Sequence, residues 1–384
     1  MRGCHLHVLN PTDSSMVILA SGTSRVGTKG LIMTIVMFLA GLLLLIIGAE
    51  GLVRGASRLA ARFGMSPLII GLTVVAFGTS SPELAVSLKA AVDDQAGIAM
   101  GNVVGSNVFN VLFILGVSAL IVPLTVAHQL IRFDIPLMVG LSLLVLLLVL
   151  DGSVGRFDGG LLVVGLGAYL LFLFRQSRRE LSADSHVEPG PEGARLVSNL
   201  AYVLGGLGML VLGSRWLVDG AVVFAQALGV SDQVIGLTII AAGTSLPEVV
   251  TSIVAALRGE RDIAVGNVVG SNVFNILGVL GLTGLLAPTG IAVPVAMVGF
   301  DIPVMIAVAV ACLPICFTGG VISRWEGGVL FAYYLAYTLY LILAATHHDA
   351  LPVFSVTMLY FALPLTALTL AVLALQERHR GIRP

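Results

Sequence analysis

Residues Gly71–Ala91 read GLTVVAFGTSSPELAVSLKAA, and Gly236–Ala256 read GLTIIAAGTSLPEVVTSIVAA. Twelve of these 21 positions agree at an offset of 165 residues. A second pair follows. Gly101–Gly116, GNVVGSNVFNVLFILG, returns as Gly266–Gly281, GNVVGSNVFNILGVLG, with 13 of 16 positions identical. Fainter echoes extend outward: FDIP at Phe133–Pro136 and Phe300–Pro303, RFDGG at Arg156–Gly160 against RWEGG at Arg324–Gly328, and Gly48–Gly55 against Gly213–Gly220. Apolar helices alike by chance share Leu and Val, not GTS-x-PE and GSN-x-FN. The chain is an internal duplication.

Composition says what is duplicated. Hydrophobic residues make up 57% of the 384, and charged residues only 11%, against about 25% charged in a soluble domain. With a mean hydropathy of +1.04, the chain cannot cover a water-facing surface, so it is an integral membrane protein. A net charge of −1 offers no basic field for nucleic acid. Three cysteines, Cys4, Cys312 and Cys316, form no disulfide framework or zinc pattern. The apolar runs are unbroken rather than alternating, which excludes a β-barrel.

Runs long enough to cross the hydrocarbon core predict spans at 31–52, 66–91, 98–122, 134–150, 158–174, 199–218, 233–256, 263–286, 299–317, 327–345 and 353–375. Each repeat holds five spans, an odd number, so the second half is inverted relative to the first. The expected fold is an all-α polytopic membrane protein with two inverted five-helix repeats (31–174 and 199–345) forming a ten-span core. Residues 346–384 add one extra C-terminal span and a tail. Residues 175–198, rich in charge, proline and serine, read as a linker, and residues 1–30 as a disordered extension, with Met33 an alternative start. Of 20 Lys and Arg residues, 14 fall on one side if span one enters from outside. This predicts a cytoplasmic linker and C-terminus in the inner cell membrane.

The repeated motifs carry the chemistry. In span two, Pro82 lacks an N–H and clashes with the preceding turn, and Gly78 frees the backbone, so the helix is expected to be broken or kinked in mid-membrane. The break should release carbonyls such as that of Ala76, with the hydroxyls of Thr79 and Ser80 and the carboxylate of Glu83 beside it. Irregular backbone at that depth is tolerated only where buried or lining a cavity. Span seven repeats the set as Ala241, Gly243, Thr244, Ser245, Pro247 and Glu248. Spans three and eight add Ser106 with Asn110, and Ser271 with Asn275, each pair four apart on one helical face. Glycines 101, 105, 266 and 270 permit close helix approach. Pseudo-twofold symmetry would bring these oxygens to one midplane site. Oxygen-only donors suit hard cations such as Ca²⁺. Two glutamates carry −2, which one Ca²⁺ or two Na⁺ would balance. A bare carboxylate at the bilayer centre costs at least about 2.5 kcal/mol, so such a carrier crosses loaded. Such a carrier is an antiporter. The alternative is that both glutamates are protonated and only hold helices together.

At these residues the sequence resembles the calcium/cation antiporter superfamily, specifically prokaryotic sodium/calcium exchangers of the YrbG type, over residues 33 to 345. The resemblance implies two inverted five-helix halves with ions held by helices two, three, seven and eight. Glu83 and Glu248 would be the central ligands. Thr79, Ser80, Thr244, Ser245, Ser106, Ser271 and the Ala76 and Ala241 carbonyls would complete the site, with Asn110 and Asn275 as further candidates. Relatives often carry aspartate at the position of Asn275, and its absence removes charge from the site. The implied activity is Ca²⁺ exchange for Na⁺ by alternating access, helices one and six sliding across the core, with no cofactor and no enzymatic chemistry. H⁺ as the driving ion keeps the same fold. A hydrolase using Ser80 or Ser245 lacks a membrane-embedded base, and a passive channel fits poorly with paired buried charges. Asp134 and Asp301 read as helix caps, Glu50 as snorkelling to an interface, and Arg215 as lying near the cytoplasmic end or paired. Cys312 and Cys316 read as packing, and His347, His348 and Asp349 as a solvated loop.

Overall fold

The computed structural model describes residues 28–93, 95–183, 196–228, 239 and 241–379. The N-terminal extension, most of the linker, the first part of span seven and the end of the tail lie outside the described residues. The fold is the expected all-α polytopic one. Among the described residues nine helices are long and apolar enough to cross a membrane, and the bent pair Pro67–Thr79 and Ser81–Val92 makes a tenth. These are Ile32–Phe63, the bent pair, Ala96–Ile121, Leu130–Asp151, Arg156–Arg178, Leu196–Gln226, Arg261–Leu286, Met297–Phe317, Arg324–Ala345 and Leu351–Leu373. Span seven is described from Ala241 onward, as Ala241–Gly243 and Leu246–Leu257.

The inverted duplication is written into the packing. Spans one and six lie antiparallel along a glycine seam. A methyl group on Gly41 would sit 2.8 Å from the Gly213 carbonyl oxygen, and one on Gly213 would sit 2.7 Å from that of Gly41. Gly48 and Gly206 reciprocate at 2.8 and 2.6 Å. Contacts in which i meets j and j's counterpart meets i's are the mark of a twofold axis, here inside one chain. Two short antiparallel bridges obey it too: Leu124 pairs with Ile322, and Ser153 with Ala292. Spans three and eight run through the centre, and the apolar window of span eight is entirely buried. The last span lies outside the core, held to span ten by the Tyr333 hydroxyl, which donates to the Ala362 carbonyl at 3.0 Å and lies 2.6 Å from Thr366 Oγ1.

Three predicted details are corrected. Asp134 and Asp301 are not caps, because their helices begin a turn earlier, at Leu130 and Met297. A wide turn makes this possible: the Ile135 and Ile302 N–H groups reach back five residues, to the Leu130 and Met297 carbonyls. That shift of register accommodates Pro136 and Pro303 without breaking the helix. The two aspartates instead accept the Tyr169 and Tyr337 hydroxyls at 3.0 and 2.8 Å. Glu50 does more than snorkel: it forms ion pairs with Arg54 and with Arg258 at the end of span seven. Arg215 lies at the opposite end of the seam from Glu50, since span six begins beside Gly55 (a methyl group there would meet the Asn199 carbonyl at 3.0 Å) and reaches Gly41 only at Gly213. Cys312 and Cys316 are buried packing residues. His348 Nδ1 accepts the Ala350 N–H at 3.1 Å in the turn between spans ten and eleven.

Candidate functional site

Each glutamate stands just past a bend. In span two the bend falls at Ser80 (φ −81°, ψ 8°), and the two halves meet at 43°; in span seven it falls at Ser245 (φ −89°, ψ 8°). Pro82 and Pro247 have no N–H to offer the carbonyls of Gly78 and Gly243, four residues back. The Gly243 carbonyl accepts the Ser214 hydroxyl instead, at 2.7 Å. The chain bends rather than unwinds. Contrary to the sequence reading, the Ala76 carbonyl is not released: it accepts the Ser80 N–H at 3.0 Å and lies 3.4 Å from the Thr79 hydroxyl.

The two bends face one another and exchange hydrogen bonds. Ser80 Oγ donates to Glu248 Oε1 at 2.9 Å, and Ser245 Oγ donates to Glu83 Oε1 at 2.7 Å. Ser245 Oγ also lies 3.2 Å from Ser106 Oγ. Ala76, Thr79, Ser80, Glu83, Ser106, Asn110, Ser245, Glu248, Ser271 and Asn275 are all buried, and Thr244 is half-buried. Ala241 opens the short helix before the second bend. Of the set expected from the sequence, Ser80, Ser245 and Ser106 are thus joined to the pair of carboxylates by hydrogen bonds.

What it lacks is donors. Oε2 of Glu83, Oε2 of Glu248, Oγ of Ser271 and Oδ1 of Asn110 and Asn275 are buried with no hydrogen-bond partner among the described residues. Buried acceptors are ordinarily satisfied, and each exception needs a cause such as an ion. Among the described residues no group of three or more His, Cys, Asp or Glu side chains comes together. The charge of the cluster therefore rests on the two glutamates, and hydroxyl and amide oxygens make up the remainder.

Four amides that the sequence reading passed over complete the network. Asn110 Nδ2 donates to Asn272 Oδ1 at 2.9 Å, and Asn275 Nδ2 to Asn107 Oδ1 at 3.1 Å. Asn107 and Asn272 also donate to one another's carbonyls, both at 3.4 Å. Asn102 and Asn267 bind the backbone carbonyls of Glu83 and Glu248, at 3.0 and 3.4 Å. The signal for Asn102 and Asn267 was present, since each lies four residues before Ser106 or Ser271 on the same helical face.

Inverted repeats with discontinuous helices meeting at buried polar groups define a class, the secondary membrane carriers. The family profile described as "Sodium/calcium exchanger protein" matches residues 33–175 and 198–343, and the chain belongs to that family. It is 40% identical over 289 residues to the inner membrane protein YrbG of Escherichia coli K12, covering 73% of this chain and 87% of that one. It is 39% identical over 310 residues to the putative antiporter CaxA of Alkalimonas amylolytica, covering 79% and 96%. A solved structure of the sodium-calcium exchanger NCX_Mj, soaked with zero Na⁺ and Ca²⁺, matches at a TM-score of 0.69 and 31% identity, covering 79% of this chain and 97% of that one.

Proposed function

We propose that this protein exports Ca²⁺ in exchange for Na⁺, using the cluster around Glu83 and Glu248 as the cation site at the membrane midplane. The observation that carries the reading is the pair of buried carboxylates, each with one oxygen bonded across the twofold and one left without a donor. A cation supplies what the protein does not. Ca²⁺ takes six to eight oxygens at flexible distances, and its charge balances the two glutamates. Na⁺ ions in about twofold number balance the same charge, so the two cargoes compete for one site. Thr79, Ser80, Thr244, Ser245, Ser106 and Ser271 lend hydroxyl oxygens, and Asn110 and Asn275 their free Oδ1 atoms. The Ala76 carbonyl joins only by giving up its contact with the Thr79 hydroxyl, and Ala241 is its counterpart in the other repeat.

Residues 31–174 and 199–345 act as the two repeats, and spans one and six slide together over the core to expose the site to either side. The 175–198 linker and the C-terminus face the cytoplasm of a cell whose inner membrane holds the protein. The residues do no bond-making chemistry. ⁴⁵Ca²⁺ uptake into proteoliposomes under separately imposed Na⁺ and H⁺ gradients tests the reading. Uptake that follows the Na⁺ gradient supports it, uptake driven by a pH gradient alone replaces Na⁺ with H⁺, and flux with no counter-ion dependence makes the protein a channel.

A further inference from the structure

Each repeat contains one asparagine whose three polar contacts connect a glutamate of its own repeat to a threonine of the other. Asn102 Nδ2 donates to the Glu83 carbonyl at 3.0 Å and to Ser87 Oγ at 2.9 Å, while its Oδ1 accepts the Thr244 hydroxyl at 3.4 Å. Asn267 Nδ2 donates to the Glu248 carbonyl at 3.4 Å and to Ser252 Oγ at 2.9 Å, and its Oδ1 accepts the Thr79 hydroxyl at 3.2 Å. Both hydrogens of each amide group are engaged within the repeat. The carbonyl end is therefore fixed toward the partner repeat.

We propose that Asn102 and Asn267 are positioning residues that aim the threonine hydroxyls of the opposite repeat, and so set the cation affinity of the two half-sites jointly. The inference rests on the exchange reading above. A hydroxyl has one hydrogen and two lone pairs. With its hydrogen held by Asn267, Thr79 presents lone pairs to a cation; with the hydrogen turned inward, it would repel one. If Asn267 is removed, the hydrogen turns to the acceptors left within reach, the Ala76 carbonyl at 3.4 Å and the Glu248 carboxylate, and either contact occupies another candidate ligand. The same amide holds the backbone at Glu248, so a shift of Thr79 on ion release is passed to the carboxylate of the other repeat.

A double-mutant cycle tests this in proteoliposomes by measuring KM and maximal rate for Ca²⁺. Asn267→Ala is expected to raise KM about tenfold, the size of one lost buried hydrogen bond, with a smaller change in maximal rate. In a Thr79→Val background the same substitution should add less than about twofold, because bonded residues couple. Asn102→Ala combined with Thr79→Val should instead multiply, since Asn102 faces Thr244. Asn267→Ser replaces Asn267→Ala if the latter does not fold, as judged by its thermal midpoint in detergent. Multiplication in the Asn267–Thr79 cycle, or a loss of rate at unchanged KM, overturns the proposal while leaving the exchange reading intact. Absence of Ca²⁺ uptake by the wild-type protein overturns both.

Discussion

The half-helix Ser81–Val92 and its counterpart Leu246–Leu257 carry the same motif and the same bonds to the site, yet they are covered differently. Val86 in the first is 37% exposed, while the corresponding Thr251 in the second is fully buried. Leu84 is half-buried where Val249 is buried, and Ala85 is exposed where Val250 is half-buried. The far end of the second half-helix is fastened to span one by the Glu50–Arg258 ion pair. By the repeat offset of 165, the corresponding residues are Arg215 and Asp93, with opposite charges. At that end Asp93 pairs with Lys89 instead, at 2.7 Å. The hydrogen bonds exchanged between serines and glutamates are therefore repeated in both halves, and their surroundings are not. The difference lies in how the glycine-seamed pair of spans one and six leans, and it leans toward Leu246–Leu257.

The sharpest check on the symmetric part is the glutamate pair. Glu83→Gln and Glu248→Gln should each abolish ⁴⁵Ca²⁺ uptake to the same degree, despite their unequal surroundings, with the thermal midpoint of the purified protein retained. A large gap between the two variants would break the equivalence. Next in size is the seam. Gly206→Ala forces a methyl group to within 2.6 Å of the Gly48 carbonyl oxygen, and overpacking of this kind destabilises by about 1–3 kcal/mol. Its midpoint in detergent should fall by several degrees. Gly208→Ala, where nothing described lies within 4 Å, should leave the midpoint unchanged or raise it slightly.

The asymmetric part is probed with cysteines placed one at a time in a background lacking the three native ones. Val86→Cys should react faster than Thr251→Cys with a small membrane-permeant thiol reagent, and equal rates would deny the unequal cover. The smallest effect belongs to the ion pair. Glu50→Gln removes a partly exposed contact contributing about 0–1 kcal/mol, so uptake should change little. Labelling at position 251 should nevertheless rise as the fastening of span one to Leu246–Leu257 loosens.

Much of this was legible in the sequence, because duplication, span length and the bend each leave a local mark. The GTS-x-PE motif announces its own bend, since proline and glycine act within one turn of themselves. The oxygen-rich face of spans three and eight follows from a spacing of four. What stayed hidden depends on pairings across the chain. Asn267 meets Thr79 across 188 residues and Arg258 meets Glu50 across 208, and the motif does not say which of its several amides turns toward the other repeat. Asp134 and Asp301 were misread because a wide helical turn before a proline looks, in sequence, like a helix start. The Ala76 carbonyl was misread for a related reason: proline at position 82 deprives the residue four places earlier, Gly78, and leaves the ladder intact at Ala76.

The glycines at 41, 48, 206 and 213 let the two longest described helices touch backbone to backbone, with Phe38 against Phe224 and Arg58 over Tyr202 packing toward the two ends of the contact. Because the twofold lies within one chain, each of these glycines is encoded once, and a larger residue at Gly206 presses on Gly48 while the Gly41–Gly213 contact is left as it is. The two ends of the seam can therefore diverge one at a time. The charged residues show that divergence already, since Glu50 and its repeat counterpart Arg215 differ in sign.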